Sequence, residues 1–86
     1  MAEYTITFAR SARRELESLE NATVNRVFAR IESLSDCPRP QGCVKLRGRK
    51  DLWRLRAGDY RVIYAIDDGK RMVDVVAVRH RREAYR

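Results

Sequence analysis

The chain has 86 residues, 44% of them hydrophobic, with 19 Lys and Arg against 12 Asp and Glu for a net charge of +7. Such a length and apolar content suit one small folded domain over residues 1–86 and exclude a disordered tail. No run of about 18 apolar residues and no basic-then-apolar leader is present, so neither a membrane span nor a secretory signal is expected, and the chain is expected in the cytoplasm.

The charge is uneven. Residues 1–36 carry five arginines against six acids, whereas residues 37–86 carry fourteen Lys and Arg against six acids. One near-neutral half and one strongly basic half point to nucleic acid or an acidic protein as partner. An anionic membrane fits less well, because no helical stretch sets a basic face against a large apolar one.

In chain order, residues 3–8 place Tyr4, Ile6 and Phe8 on one face of a half-buried strand. A helix starting at Ala9 or Ser11 follows, with Ala12, Leu16 and Leu19 inward and Arg13, Arg14, Glu15 and Glu17 outward. Asn21, Ala22 and Thr23 are expected to break and cap it, with Thr23 at the start of the next helix. Val24, Val27, Phe28, Ile31 and Leu34 then repeat at helical spacing, so the two helices should form an antiparallel pair. Arg10, Arg13, Arg14, Arg26 and Arg30 read as solvated helix surface. Pro38 and Pro40 end the second helix. Cys37 and Cys43 flank them, and without a second pair or a nearby histidine they read as free thiols, not a zinc site.

Lys45, Arg47, Arg49 and Lys50 form a basic connector into a hairpin. Within residues 52–57, Arg54 and Arg56 fall on one face, while Trp53 and Leu55 fall on the other with the core. The turn Ala57-Gly58-Asp59 leads to a strand from Tyr60, which lets Arg61 lie across from those arginines. Asp67, Asp68, Gly69 and Lys70 turn the chain again, and residues 71–78 return as a β-branched strand apolar enough to be central. The expected order is β-α-α-β-β-β: an α+β domain with a helix pair on one face of a mainly antiparallel four-stranded sheet, the other face left to arginines.

The chemistry is bounded by what is missing. One histidine, no Gly-rich phosphate loop, no nucleophile elbow and no metal-ligand set leave arginines, lysines and tyrosines. No cofactor is expected. Guanidinium groups bind phosphate bidentately and stabilise charge on a pentacoordinate transition state, and aromatics stack on bases. RNA brings its own nucleophile, the 2′-OH. Proton transfer is the weak point, since arginine and an unperturbed tyrosine are poor bases at neutral pH.

At Lys45-Leu46-Arg47-Gly48, Trp53-Arg54-Leu55-Arg56, Tyr60-Arg61-Val62-Ile63-Tyr64 and Arg79-His80-Arg81-Arg82-Glu83-Ala84-Tyr85, the chain closely resembles the RelE/ParE superfamily of type II toxin–antitoxin toxins. The resemblance implies a RelE-like microbial RNase fold. Its RelE branch cuts mRNA in the ribosomal A site by metal-independent 2′-OH attack, while its ParE branch inhibits DNA gyrase without that chemistry. Arg54, Arg56, Arg61, Arg81 and Tyr85 match RelE-like catalytic positions, and His80 matches a histidine found in many members. Arg61 and Arg81 would hold the scissile phosphate; Arg54 and Arg56 would activate the 2′-OH or bind flanking phosphates. Tyr85 or His80 would position the base or move protons. Each has a plainer reading: Arg61 paired with Asp59 or Asp67, Tyr85 packed on the sheet, His80 facing outward at a strand end. Lys45, Arg47, Arg49, Lys50, Arg79 and Arg82 would dock on ribosomal RNA. The glutamate base that some relatives carry before the second strand has no equivalent here, because residues 42–45 are not acidic. The implied partners are a RelB-like antitoxin, the ribosome with mRNA in its A site, and operator DNA reached through the antitoxin complex.

Overall fold

The computed structural model describes residues 3–48 and 51–84. A short strand β1 (Thr5–Phe8) leads into two helices, α1 (Arg10–Glu17) and α2 (Asn21–Glu32), the second running on through a single 3-10 turn at Ser33–Ser35. Four strands follow: β2 (Val44–Lys45), β3 (Leu52–Ala57), β4 (Tyr60–Asp67) and β5 (Met72–His80), then a four-residue helix α3 (Arg81–Ala84). The sheet order is β1-β5-β4-β3-β2. Among the described residues, only β1 and β5 run parallel; the other neighbours are antiparallel.

The sheet has five strands where the sequence suggested four. The extra one, β2, is two residues long, too short for any periodicity to show, and is identified only by pairing Val44 with Arg54 and Lys45 with Trp53. The helix break also differs: α1 ends at Glu17 and α2 already begins at Asn21, so Thr23 lies inside a helix and caps nothing. Neither helix has a side-chain cap at its N-terminus. Apolar burial holds them in place, which is how most short helices in proteins are stabilised.

One core lies between helices and sheet. Ala12 and Leu16 of α1, Val27 and Ile31 of α2, and Leu34 meet Leu55, Val62, Tyr64, Val73, Val75 and Val78. Along β4 the buried positions Val62, Tyr64 and Ile66 alternate with Ile63 and Ala65, as the strand period demands. The helices therefore cover one face of the sheet, and β4 and β5 form its centre.

Pairing of β4 with β5 contains a bulge. Tyr64 faces Val75, but the next residue, Ile63, faces Ala77, which leaves Val76 as an extra residue on β5. Before the bulge Val73 and Val75 point to the core, and after it Val78 does. Arg79 is thereby turned to the open face and His80 to the helix side.

The loop after α2 is pinned at several points. The Tyr64 hydroxyl donates to the Pro38 carbonyl at 2.8 Å, and Arg39 lies 5.2 Å over the Trp53 ring while pairing with Asp68 at 2.8 Å. Tyr4 donates to the same Asp68 carboxylate at 2.6 Å. Cys37 and Cys43 are both free thiols.

Candidate active site

The hairpin turn is tight: β3 ends at Ala57, β4 begins at Tyr60, and Gly58 between them takes a φ of +63°, a conformation glycine adopts without strain. That turn fixes the register. Arg56 stands directly opposite Arg61, and Arg61 directly opposite Arg79. Three arginines thus form one row across three adjacent strands, on the face away from the helices. Cα atoms opposite each other in antiparallel strands are about 4.5–5.5 Å apart, so the guanidinium groups share one patch.

Such a row opposes folding. Like charges directly across a sheet destabilise it, and Arg61 is 7% exposed, the one buried charged residue among those described. Its Nη1 reaches the Tyr60 carbonyl at 3.4 Å. Arg56 is exposed, with Nε donating to the Gly58 carbonyl at 3.3 Å. Arg79 is held from the side by α1, its Nε 3.3 Å from Glu15 Oε2. Three cations positioned this way create a field suited to a phosphodiester.

The remaining sequence-derived residues are distributed around the row. Arg54, half-buried, lies two positions along β3 on the same face, between Val44 of β2 and Ile63 of β4. Arg81 and Arg82 are exposed at the start of α3, close to the row's end, with the Arg81 amide donating to the Asp59 carbonyl at 2.7 Å. Lys45 pairs with Trp53, so its side chain leaves from the helix side; Lys45 and Arg47 are both exposed. Arg49, Lys50 and Tyr85 lie outside the described residues.

His80 is not brought to the row. It faces Tyr60 across the sheet, ring edge to ring at 5.3 Å, on the helix side. Its Nδ1 accepts the Arg82 amide at 3.3 Å, which puts the proton of a neutral ring on Nε2.

Sequence reasoning missed two features. Glu15 holds the end of the row from a helix, and its acidic character alone marked it only as solvated surface. Nor is the open face arginine throughout. Beyond the row, Leu46, Leu52, Ile63, Val76 and Ala77 line an apolar hollow, and Asp51, Asp67 and Asp68 gather at the far end of the strands. Among the described residues, no three His, Cys, Asp or Glu side chains group where they could hold a metal ion. No described helix is long and apolar enough to cross a membrane.

Fold and row together define a small basic α+β protein with arginines aligned across three strands on one sheet face. Comparison with known proteins makes the class specific. Residues 6–85 match the family model for the ParE toxin of the type II toxin–antitoxin system parDE. Toxin RelE of Mycobacterium tuberculosis is 37% identical over 82 residues, covering 95% of this chain and 81% of that protein. The fold superposes with a TM-score of 0.81 on the archaeal RelE–RelB complex of Pyrococcus horikoshii, at 29% identity, covering 94% of this chain and 97% of that one. It superposes equally, at 0.81, on the toxin–antitoxin complex RelBE2 of M. tuberculosis, at 32% identity and 93% of both chains. The chain belongs to the RelE/ParE family of type II toxin–antitoxin toxins.

Proposed function

We propose that this toxin is a ribosome-dependent mRNA endonuclease that cuts A-site mRNA without a metal. In the proposed step the 2′-oxygen of the substrate bonds to the adjacent phosphorus and the bond to the 5′-oxygen breaks. The products are a 2′,3′-cyclic phosphate and a 5′-hydroxyl, with the 2′-OH proton lost to a base and one delivered to the leaving oxygen. The observation that carries the reading is the cross-strand row of Arg56, Arg61 and Arg79, which sets fixed cations where a pentacoordinate phosphate would gather charge.

In this reading Arg61 and Arg81 hold the scissile phosphate, Arg54 and Arg56 ease loss of the 2′-OH proton, and Tyr85 moves protons, since His80 faces the helix side of the sheet. Arg79 serves the row. Lys45, Arg47, Arg49, Lys50 and Arg82 dock on ribosomal RNA. A RelB-like antitoxin would cover the basic face, as the RelE–RelB relatives are complexes, and operator DNA would be reached through that complex.

The test is primer extension on a defined mRNA in programmed 70S ribosomes, with wild type, Arg56→Ala and Arg81→Ala. Both substitutions are at exposed positions, and each should lower the cleavage rate by about 10²–10³-fold, the usual loss on removing one transition-state donor. A folded, antitoxin-free wild type that leaves the A-site codon intact overturns the reading. One observation favours an alternative: the matching family model is that of ParE. A gyrase inhibitor would block DNA supercoiling in vitro and would tolerate Arg81→Ala.

A further inference from the structure

The open face of the sheet has three zones, and they follow the strand register. The arginine row occupies the hairpin end. Two residues along each strand come Arg54, Ile63 and Ala77, and then Leu52 and Ala65. Leu46, Leu52, Ile63, Val76 and Ala77 surround a hollow of about 460 Å³, and Arg79 closes its side toward the row. At the far end Asp51, Asp67 and Asp68 line a second, polar hollow.

We propose that the apolar hollow seats a nucleobase of a single-stranded RNA whose phosphates lie on the arginine row. Charge complementarity selects this occupant. Arg79 belongs both to the row and to the hollow, so whatever fills one must be anionic where it meets the other. Ile63 and Ala77 stand two positions along their strands from Arg61 and Arg79, about 6.5–7 Å away, which is within one nucleotide's reach from phosphate to base. At the far end Asp68 is compensated by Arg39, but Asp51 and Asp67 remain and disfavour a continuing phosphate chain there. The backbone therefore crosses the strands along the row, with its base turned toward the sheet centre.

Size supports the same assignment. The hollow falls within the range of about 300–1,000 Å³ common to small-ligand sites. It accepts one heterocycle and its sugar, whereas a peptide helix about 10–12 Å across would overrun it. Apart from Arg79 its lining offers no polar side chain. It reads the face of a base and not its edge, so it favours larger bases without selecting a sequence. The inference takes RNA as the ligand from the proposed nuclease reading.

The test is methyl NMR of the full antitoxin-free chain at low salt, titrated with a 2′-O-methyl RNA hexamer and with an abasic hexamer of equal charge. Ring-current shifts of the Ile63, Leu46 and Leu52 methyls with the base-bearing strand alone are expected. Burial of some 40 Å² of apolar base should make that strand bind about fivefold tighter. Ile63→Thr, which keeps a β-branched strand residue, should abolish the difference and leave the abasic affinity unchanged. Equal affinities with no shift at these methyls, or no binding of either strand, overturn the inference. Shifts produced by an acidic helical peptide but not by RNA also overturn it and assign the hollow to a protein partner. Seating of RNA by a toxin that fails to cut on ribosomes leaves the hollow's assignment standing and overturns only the nuclease reading.

Discussion

Replacing Glu15 separates two jobs that its carboxylate performs at once. Strand β1 ends at Phe8 opposite Val75, and beyond the Ala9 amide, which donates to the Val75 carbonyl at 2.9 Å, β5 has lost its neighbour on that side. Helix α1 supplies substitutes. Ser11 donates to the Val76 carbonyl at 3.1 Å, and Glu15 Oε1 accepts the Val78 amide at 2.8 Å. Val78 is 2% exposed, so an amide left there without an acceptor costs about 1–3 kcal/mol. The second oxygen meets Arg79, but the two side chains are 29% and 49% exposed, and such a pair is worth under about 1 kcal/mol. Glu15→Ala should therefore lose about 2 kcal/mol and lower the melting temperature by about 8–16 °C. Glu15→Gln keeps an oxygen for Val78 and should lose less than half as much. Urea denaturation gives the two values, and amide exchange at Val78, accelerated in Glu15→Ala and near wild type in Glu15→Gln, locates the effect. Equal losses in the two variants would refute the argument, because the charge and not the edge acceptor would then hold α1 to β5.

Three further expectations rest on single contacts. Arg56→Gln relieves like charge across β3 and β4, so it should raise stability by about 0.2–1 kcal/mol in low salt and, on the proposed nuclease reading, reduce RNA cleavage; a gain unchanged in molar salt would rule out charge as its cause. The Asp68 carboxyl is held below the ordinary aspartate value by hydrogen bonds from Arg39 and Tyr4. Its contribution is full above about pH 4, the unfolded value, and fades as pH falls through the folded one; Asp68→Asn should flatten the acid limb of melting temperature against pH. Burial, first, and then the neighbouring Cys43 push the Tyr64 hydroxyl well above the ordinary tyrosine value. Its contribution is full below about pH 10 and fades as pH rises above that. Tyr64→Phe gives up the bond to Pro38 but should lose less stability than wild type between pH 9 and 11, which thermal melts would show.

The sequence made the fold legible where periodicity is long and unambiguous. Val27 and Ile31 identified α2, and Trp53 and Leu55 against Arg54 and Arg56 identified both faces of β3. Features set by pairing rather than by pattern stayed hidden. Strand β2 has two residues, and α2 starts without a capping side chain, so neither carries a local signal. At the site, Arg54, Arg56 and Arg61 were placed on one face from alternation and a short turn alone. Glu15 could not be placed, because its role depends on β1 ending before β5 does, a fact of tertiary structure.

The bulge at Val76 explains the remaining gap and links the core to the chemistry. Strict alternation from Val73 and Val75 would carry Ala77 and Arg79 into the helix face and turn His80 toward the arginines. One extra residue reverses every later side chain, and Val78 goes to the core in place of Ala77. The driving force is apolar, since Val78 buries more surface than Ala77 against Val62 in the same cross-strand position. The consequence is electrostatic. Leu55, Val62 and Val78 face one another across the three strands on the buried side, and each lies next in sequence to a member of the row: Arg56, Arg61 and Arg79. The row's position is thus set by the best-buried part of the sheet. A repulsive arrangement of three arginines persists because moving any one of them to relieve it would expose its apolar neighbour.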